Sequence, residues 1–126
     1  MQIIRKADAI FKEREDGSKI RRFLFDEYEL HDTTIPPGTI QAWHSHEKIE
    51  EALLVIDGPM DILFIEAGET KKETLVSGDL VRFEKTAHTV ENNTEKPARF
   101  FVLKMVPEGK DKKHIFLNDK KIIKKE

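Results

Sequence analysis

The sequence lacks cysteine altogether, and this absence excludes disulfide bonds, thiolate metal sites, iron–sulfur clusters and cysteine nucleophiles. It also lacks long apolar runs: nothing at the N-terminus has the pattern of a signal peptide, and no window approaches the roughly 20 apolar residues of a membrane span. An excess of positive charge is missing too, because 22 Lys and Arg residues face 24 Asp and Glu residues. This balance argues against nucleic-acid binding. We therefore expect a soluble, cytoplasmic protein that uses polar side chains or a bound ion.

The length of 126 residues predicts one domain, residues 1–126. Within it we expect a barrel core of about residues 20–107, preceded by an N-terminal arm (1–19) and followed by a basic tail (108–126). Residues 110–126 hold seven Lys against three acidic residues, which predicts a largely solvated tail. Its apolar pairs, Ile115-Phe116 and Ile122-Ile123, are expected to dock on the barrel or on a second subunit.

Short runs rich in Val, Ile, Leu, Phe and Thr recur through the middle of the chain, separated by turn residues. The candidate strands are residues 20–26, 28–35, 39–46, 51–57, 60–66, 73–76, 79–83, 88–92 and 98–106. This spacing predicts an all-β sandwich or barrel. One weak helical pattern covers residues 7–14, and the glycines never form a phosphate-binding loop.

Two histidines dominate the chemistry of the segment between residues 38 and 58. His44 and His46 are two residues apart on a predicted strand, so their imidazoles leave the same face. Facing a barrel interior they could bind one metal ion, whereas on a solvent face they would be ordinary polar residues. Glu51 opens the next predicted strand, and an inward carboxylate there needs a cation. His88 is a third candidate ligand, although the spacing does not show that it meets the others.

These residues resemble the two motifs of the cupin superfamily. The first motif, G(X)5HXH(X)3–4E(X)6G, is matched at every fixed position, by Gly38, His44, His46, Glu51 and Gly58. The second, G(X)5PXG(X)2H(X)3N, is matched by Gly78, His88 and Asn92. Glu84 and Thr86 stand where this motif has Pro and Gly, and the segment before the histidine is one residue short.

The resemblance covers about residues 28–106 and implies a double-stranded β-helix, the jelly-roll barrel of the cupins. It further implies a divalent transition metal ion (Fe, Mn, Ni, Zn or Cu) held by His44, His46, Glu51 and His88. Glu50 is a rival carboxylate, but only Glu51 keeps six residues before Gly58. The family also implies a homodimer, and the N-terminal arm offers apolar surface for it at Ile3, Ile4, Ile10 and Phe11.

Our leading hypothesis is a metal-binding cupin that acts on a small oxygen-bearing metabolite, with no nucleic-acid or membrane partner. The isomerase, dioxygenase and decarboxylase types all stay open, because cupins host each of them. One alternative is a metal-free nucleotide-sugar epimerase or isomerase, with His44 or His46 as base and Tyr28 as a candidate acid. Another is a non-catalytic module that binds a small molecule such as a sugar.

Strand alternation extends these predictions to the cavity wall. With His44 inward, its own strand also turns Ile40 and Ala42 inward, and the other strands contribute Leu53, Val55, Val90 and Asn92. Four phenylalanines are expected in the core: Phe64, Phe83, Phe100 and Phe101. His31 or Asp32 could face the cavity, and Arg82 and Arg99 are either anion clamps or ion-paired surface residues.

Overall fold

The structure, a computed structural model, describes residues 1–123. A short 3-10 helix (Lys6–Asp8) precedes the strands, and one α-helix follows them. The elements are β1 (Ile10–Glu13), β2 (Lys19–Leu24), β3 (Tyr28–Ile35), β4 (Thr39–Ile40), β5 (Glu50–Asp57), β6 (Met60–Glu66), β7 (Glu69–Leu75), β8 (Leu80–Arg82), β9 (His88–Asn92), β10 (Ala98–Met105) and α1 (Lys113–Asn118).

The strands form two antiparallel sheets whose inner faces enclose the core. One sheet has the order β1-β2-β3-β10-β5-β8 and the other β4-β9-β6-β7. Buried apolar residues come from both sheets: Ile35, Leu53, Val55, Ala98, Phe100 and Val102 from the first, and Met60, Ile62 and Val90 from the second. This two-layer arrangement confirms the predicted all-β jelly roll.

The register of the larger sheet aligns the inward side chains in rows across β3, β10 and β5. One row runs Glu29–Lys104–Glu51, and the next runs His31–Val102–Leu53. Directly opposite residues of antiparallel strands lie on the same face. Apolar residues and charged residues therefore share one interior surface, with the charges gathered in the first row.

Gly58 lies between β5 and β6 at a close approach of the chain. A Cβ atom at this position would lie 3.0 Å from Val55 Cγ1 and 3.3 Å from the carbonyl oxygen of Leu75. Any side chain would press into a core residue and into backbone, so this position of the first motif requires glycine for packing.

The predicted strand 39–46 is wrong beyond Ile40, and a β-bulge is the reason. Ile40 pairs with Glu91, so an unbroken ladder would place residue 43 opposite His88, yet His44 is the residue that pairs there. The segment between Ile40 and His44 therefore has one residue more than the segment it pairs with. This extra residue reverses the inward and outward alternation of side chains between its two sides. Ile40 is consequently 51% exposed, contrary to the prediction that it shares the inward face of His44.

Other boundaries and packing predictions also need correction. The helical pattern of residues 7–14 predicts wrongly beyond Asp8, because Ile10–Glu13 form β1 and pair with β2. The ring of Phe11 in this strand lies 4.8 Å from the guanidinium of Arg21. β7 begins at Glu69, earlier than predicted, because it pairs with β6 along its whole length. Phe101 faces outward, 5.3 Å from the guanidinium of Arg99, whereas the other three phenylalanines are in or against the core.

The C-terminal tail leaves its apolar residues exposed. Phe116 is 81% exposed in α1, and Ile122 and Ile123 are each 73% exposed. These apolar pairs therefore do not dock on the barrel, and docking on a second subunit, the other half of the prediction, stays a prediction. No helix within residues 1–123 is long and apolar enough to cross a membrane.

Candidate metal centre

His44 and His88 are brought together by backbone pairing. The amide of His44 donates to the carbonyl of His88 at 3.0 Å, and the amide of His88 donates to the carbonyl of His44 at 2.9 Å. The two residues therefore stand opposite each other in an antiparallel pair, with their side chains on one face. Their ring centroids are 4.3 Å apart, and that of His46 is 5.2 Å from that of His44.

Glu51 stands at the centre of the three imidazoles. Its Oε2 lies 2.8 Å from His46 Nε2, and its Oε1 lies 3.2 Å from His88 Nε2 and 3.7 Å from His44 Nε2. Glu51 is only 5% exposed, because it begins the inward series of β5. Glu50, its rival in the sequence, turns away and forms an ion pair with Arg82.

Hydrogen bonds from Nδ1 fix the orientation of two of the imidazole rings, those of His44 and His88. His44 Nδ1–H donates to the carbonyl oxygen of Ala42 at 3.1 Å, and His88 Nδ1–H donates to that of Thr86 at 2.8 Å. The ring of His88 also stacks on Phe83, with centroids 3.5 Å apart and planes 5° apart. Carbonyls only accept hydrogen bonds, so each of these Nδ1 atoms carries a proton and each Nε2 points at Glu51.

The electrostatics of the cluster call for a positive charge at its centre. Burial by itself raises the pKa of Glu51, but the imidazoles of His44 and His88 and the charge of Lys104 outweigh burial and hold this pKa far below its usual value. The nearby carboxylate of Glu51 in turn raises the pKa of His44. Nε2 lone pairs facing a carboxylate repel it unless a proton or a metal ion lies between them.

The donor atoms fit a divalent transition metal. The ligand atoms of His44, His46 and Glu51 all lie within 4.8 Å of one another. His88 is not a member of this compact set, although its Nε2 is close to Glu51. Imidazole and carboxylate donors suit Fe, Mn, Ni, Zn and Cu ions, so the donor set agrees with a metal site without selecting the metal.

A cavity of about 300 Å³ opens beside the cluster. His44 and Glu51 lie on its wall together with apolar side chains from both sheets: Leu53, Val90, Phe100 and Val102. Ala42 lines it too, as predicted, although the residue as a whole is exposed. A mostly apolar wall with a few converging polar groups is the usual character of a small-molecule site.

His31 is the one of the two β3 candidates that faces the cavity. Its Nε2 contacts Glu29 Oε1, and burial followed by the charge of Lys104 lowers the pKa of His31 to about 4. Asp32 points the other way and accepts two hydrogen bonds from Arg99, at 3.0 and 2.9 Å. Asp32 and Arg99 thus satisfy each other.

Tyr28, the candidate acid of the epimerase alternative, does not line the cavity that holds His44 and Glu51. It is 48% exposed at the start of β3, and its ring packs 5.1 Å from that of Phe25. Trp43 is 42% exposed next to His44, because the bulge turns it outward.

Sequence reasoning missed two cations on the cavity wall, Arg14 and Lys104. Lys104 could have been found, because it continues the inward alternation of Phe100 and Val102 along β10. Arg14 carries no such signal, because it follows β1 in a segment whose sequence pattern is weakly helical.

A jelly-roll barrel with a His/Glu cluster in its interior is thus the class of protein that fold and site define. The sequence pattern of the cupin domain matches residues 31–104. This match covers more than half of the chain, so the chain belongs to the cupin family. A search of curated proteins found no match.

Solved structures share the fold at low sequence identity. Oxalate decarboxylase of Lactobacillus farciminis, in a formate complex, has a TM-score of 0.69 and 20% identity over 83% of this chain and 32% of its own. A predicted oxalate decarboxylase from Thermotoga maritima has a TM-score of 0.67 and 17% identity over 84% of this chain and 100% of its own. A cupin-superfamily sugar phosphate isomerase from Silicibacter pomeroyi has a TM-score of 0.61 and 21% identity, over 73% and 61%. The chain therefore spans about a third of the Lactobacillus farciminis enzyme, and these likenesses show the fold alone.

Proposed function

We propose that this cupin binds a divalent transition metal ion and acts on a small oxygen-bearing metabolite in the adjoining cavity. The ligands are His44, His46, Glu51 and His88. The convergence of three Nε2 atoms on one buried carboxylate carries this proposal. The descriptions of the structural neighbours, oxalate decarboxylases and a sugar phosphate isomerase, agree with oxygen-rich small molecules.

The chain's own residues prepare the site for such a ligand. Glu51 supplies negative charge for the ion, and the carbonyls of Ala42 and Thr86 hold two of the imidazoles in orientation. The apolar wall excludes water and strengthens electrostatic interactions inside the cavity. A bound ion would polarise a ligand oxygen and stabilise the negative charge that develops on it.

Metal titration of variants at two adjacent glutamates, Glu50 and Glu51, tests the proposal. Chelator-treated protein is titrated calorimetrically with Mn²⁺ and with Zn²⁺, and the metal content of untreated protein is measured. We expect about one ion per chain for the wild type and for Glu50→Gln, and at least about tenfold weaker binding for Glu51→Gln. Equal binding by the two variants, or no binding by the wild type, would overturn the metal centre.

Metal analysis of a histidine variant and a metabolite screen separate the two alternative functions. A stoichiometric ion that is lost in His44→Ala excludes the metal-free epimerase, whose histidine base needs no ion. The exposed position of Tyr28, away from the cavity wall, also argues against Tyr28 as the acid of such an epimerase. Tight metabolite binding without turnover, found by thermal-shift screening, would favour the binding module.

We also infer a homodimer. Ile3, Ile10 and Phe11 are each more than half exposed, and β1 is an edge strand of the larger sheet. Unpaired edges with apolar side chains favour association with another chain. Light scattering at micromolar concentration should give twice the chain mass, and a lower mass for Phe11→Glu. A wild-type monomer would remove this inference.

A further inference from the structure

The candidate metal cavity adjoins a second space, called the mouth below, whose lining has a charge opposite to that of the whole chain. This adjoining space of about 340 Å³ shares Ile20 and three polar residues with the cavity: Arg14, His31 and Lys104. The charged residues that line this outer space are four cations, Lys12, Arg14, Arg22 and Lys104, and one carboxylate, Glu29. The chain as a whole has a formal net charge of −2. The cations are thus concentrated directly beside the cavity that holds His44 and Glu51.

Only part of this positive charge is neutralised by neighbours. Arg22 donates two hydrogen bonds to Glu29, at 3.1 and 2.9 Å, so these two charges largely cancel. Within residues 1–123, Lys12 and Arg14 have no carboxylate within ion-pair distance. Arg14 lines both spaces, so its charge is available to a ligand in either of them.

Lys104 connects the mouth to the candidate metal centre. The register places it between Glu29 and Glu51, and its Nζ is 4.0 Å from Glu51 Oε2. Its side chain is only 24% exposed. A bound ion would engage Glu51, so Lys104 would keep an ammonium charge without that carboxylate as its main partner. A half-buried cation in that position favours an anionic ligand.

We propose that this cavity binds the oxyanion group of a small ligand, a carboxylate or a phosphate, between Arg14 and Lys104. The inference rests on the proposed function and deepens it, because it names the chemical class of ligand at the same site. His31 adds no charge here, since its pKa lies near 4, but its imidazole can share a hydrogen bond with the same group. The apolar wall receives the rest of the ligand.

Calorimetric titration with defined anions tests the proposal. The probes are sodium malonate, inorganic phosphate and the neutral analogue malonamide, each added to metal-free and to Mn²⁺-loaded protein. We expect saturable binding of malonate or phosphate that weakens with added salt, and no binding of malonamide. Malonate alone indicates a carboxylate ligand, and phosphate alone indicates a phosphate ligand. Metal content is measured after each titration, because malonate can extract an ion.

Charge variants locate the site. Arg14→Gln and Lys104→Gln should each weaken anion binding about tenfold or more, the usual effect of losing one charge-assisted hydrogen bond. Lys104→Arg keeps the charge and should restore most of the affinity. Lys71→Gln, which removes one positive charge from β7 in the other sheet, is the matched control and should bind as the wild type does.

The outcomes distinguish this proposal from the metal centre. Anion binding without any metal binding would support the oxyanion site and overturn the metal centre. One bound ion per chain with no saturable anion binding would overturn the oxyanion site alone. The oxyanion site would also be overturned if Arg14→Gln, Lys104→Gln and Lys71→Gln all bound the anion with the same affinity, because a general charge effect would then explain the binding.

Discussion

The main chain of His44 forms two hydrogen bonds with that of His88, and this pairing is one residue out of step with the pairing of Ile40 and Glu91. The bulge between the two pairs turns His44 toward the interior. The second motif is one residue short before His88, and the turn from Phe83 to Thr86 closes this segment. The meeting of the two imidazoles thus depends on backbone irregularities.

Metal affinity should fall as the solution becomes more acidic. The carboxylate of Glu51 raises the pKa of His44, so the metal-free cluster takes up a proton at higher pH than an isolated imidazole would, and the ion must displace that proton. Below this pKa each pH unit should weaken binding about tenfold for one displaced proton. Competition with a chromophoric chelator between about pH 8 and about pH 6 measures the slope. Affinity that does not change with pH would contradict this account of the cluster.

His31 should make the metal-free protein less stable in acid. Its folded-state pKa of about 4 lies below the value of 6.5 for an exposed histidine, so the unfolded chain takes up the proton first as the pH falls. Stability from this group is therefore full above about pH 6.5 and is lost as the pH falls toward 4. The charges of Lys104 and Arg22 add to this lowering of the pKa, whereas those of Glu29 and Glu51 oppose it.

Urea unfolding of the wild type and of His31→Gln at several pH values measures this loss. The stability difference between them should change between about pH 6.5 and about pH 4, because only the wild type has the buried imidazole. His114→Gln, in the exposed α1, should follow the wild type at every pH. The effect of His44 on stability has the opposite pH dependence, because its pKa is raised. All three proteins contain His44, so its contribution cancels when their stabilities are compared.

Asn92→Asp should strongly destabilise the fold. Asn92 is fully buried, and its side-chain amide donates to the carbonyl oxygens of Ile35, Pro36 and Lys96, at 3.2, 3.3 and 2.7 Å. A carboxylate cannot donate to these groups and would repel them, so we expect a loss of about 3 kcal/mol or more in urea unfolding. Asn93→Asp, next to it and exposed, should cost no more than about 0.5 kcal/mol. Similar losses of stability for both variants would show that the side-chain hydrogen bonds of Asn92 do not hold these segments together.

Glu84→Gly should stabilise the protein. Glu84 has a φ of +54° in the turn before His88, a conformation that costs a residue with a Cβ about 1–2 kcal/mol. Glycine removes this cost but also makes the unfolded chain more flexible, which offsets part of the gain. The free energy of unfolding should therefore rise by about 0.5–1 kcal/mol. Glu69→Gly, at the start of the extended strand β7, lacks such strain and should lose about 0.5–1 kcal/mol. The two variants should therefore shift the urea midpoint in opposite directions.

Alternation and turn residues were sufficient to predict the all-β class and most strands. Leu53 and Val55 on β5 are buried as predicted, and so are Val90 and Asn92 on β9. These strands are continuous, so a period of two residues holds along each of them. The same rule failed at Ile40, because a bulge adds one residue to the count and nothing in the local composition marks it.

By itself the sequence determined the family, through residue types and spacings that recur wherever this barrel forms, and it identified the four side chains proposed as ligands. Only the tertiary structure decided which atoms face one another: that Glu50 pairs with Arg82 while Glu51 lies among the imidazoles, and that Tyr28 lies outside the cavity. It also placed Arg14 and Lys104 at the mouth. Such relations depend on register between strands that are distant in sequence, and register is set by the packing of the whole barrel rather than by any local pattern.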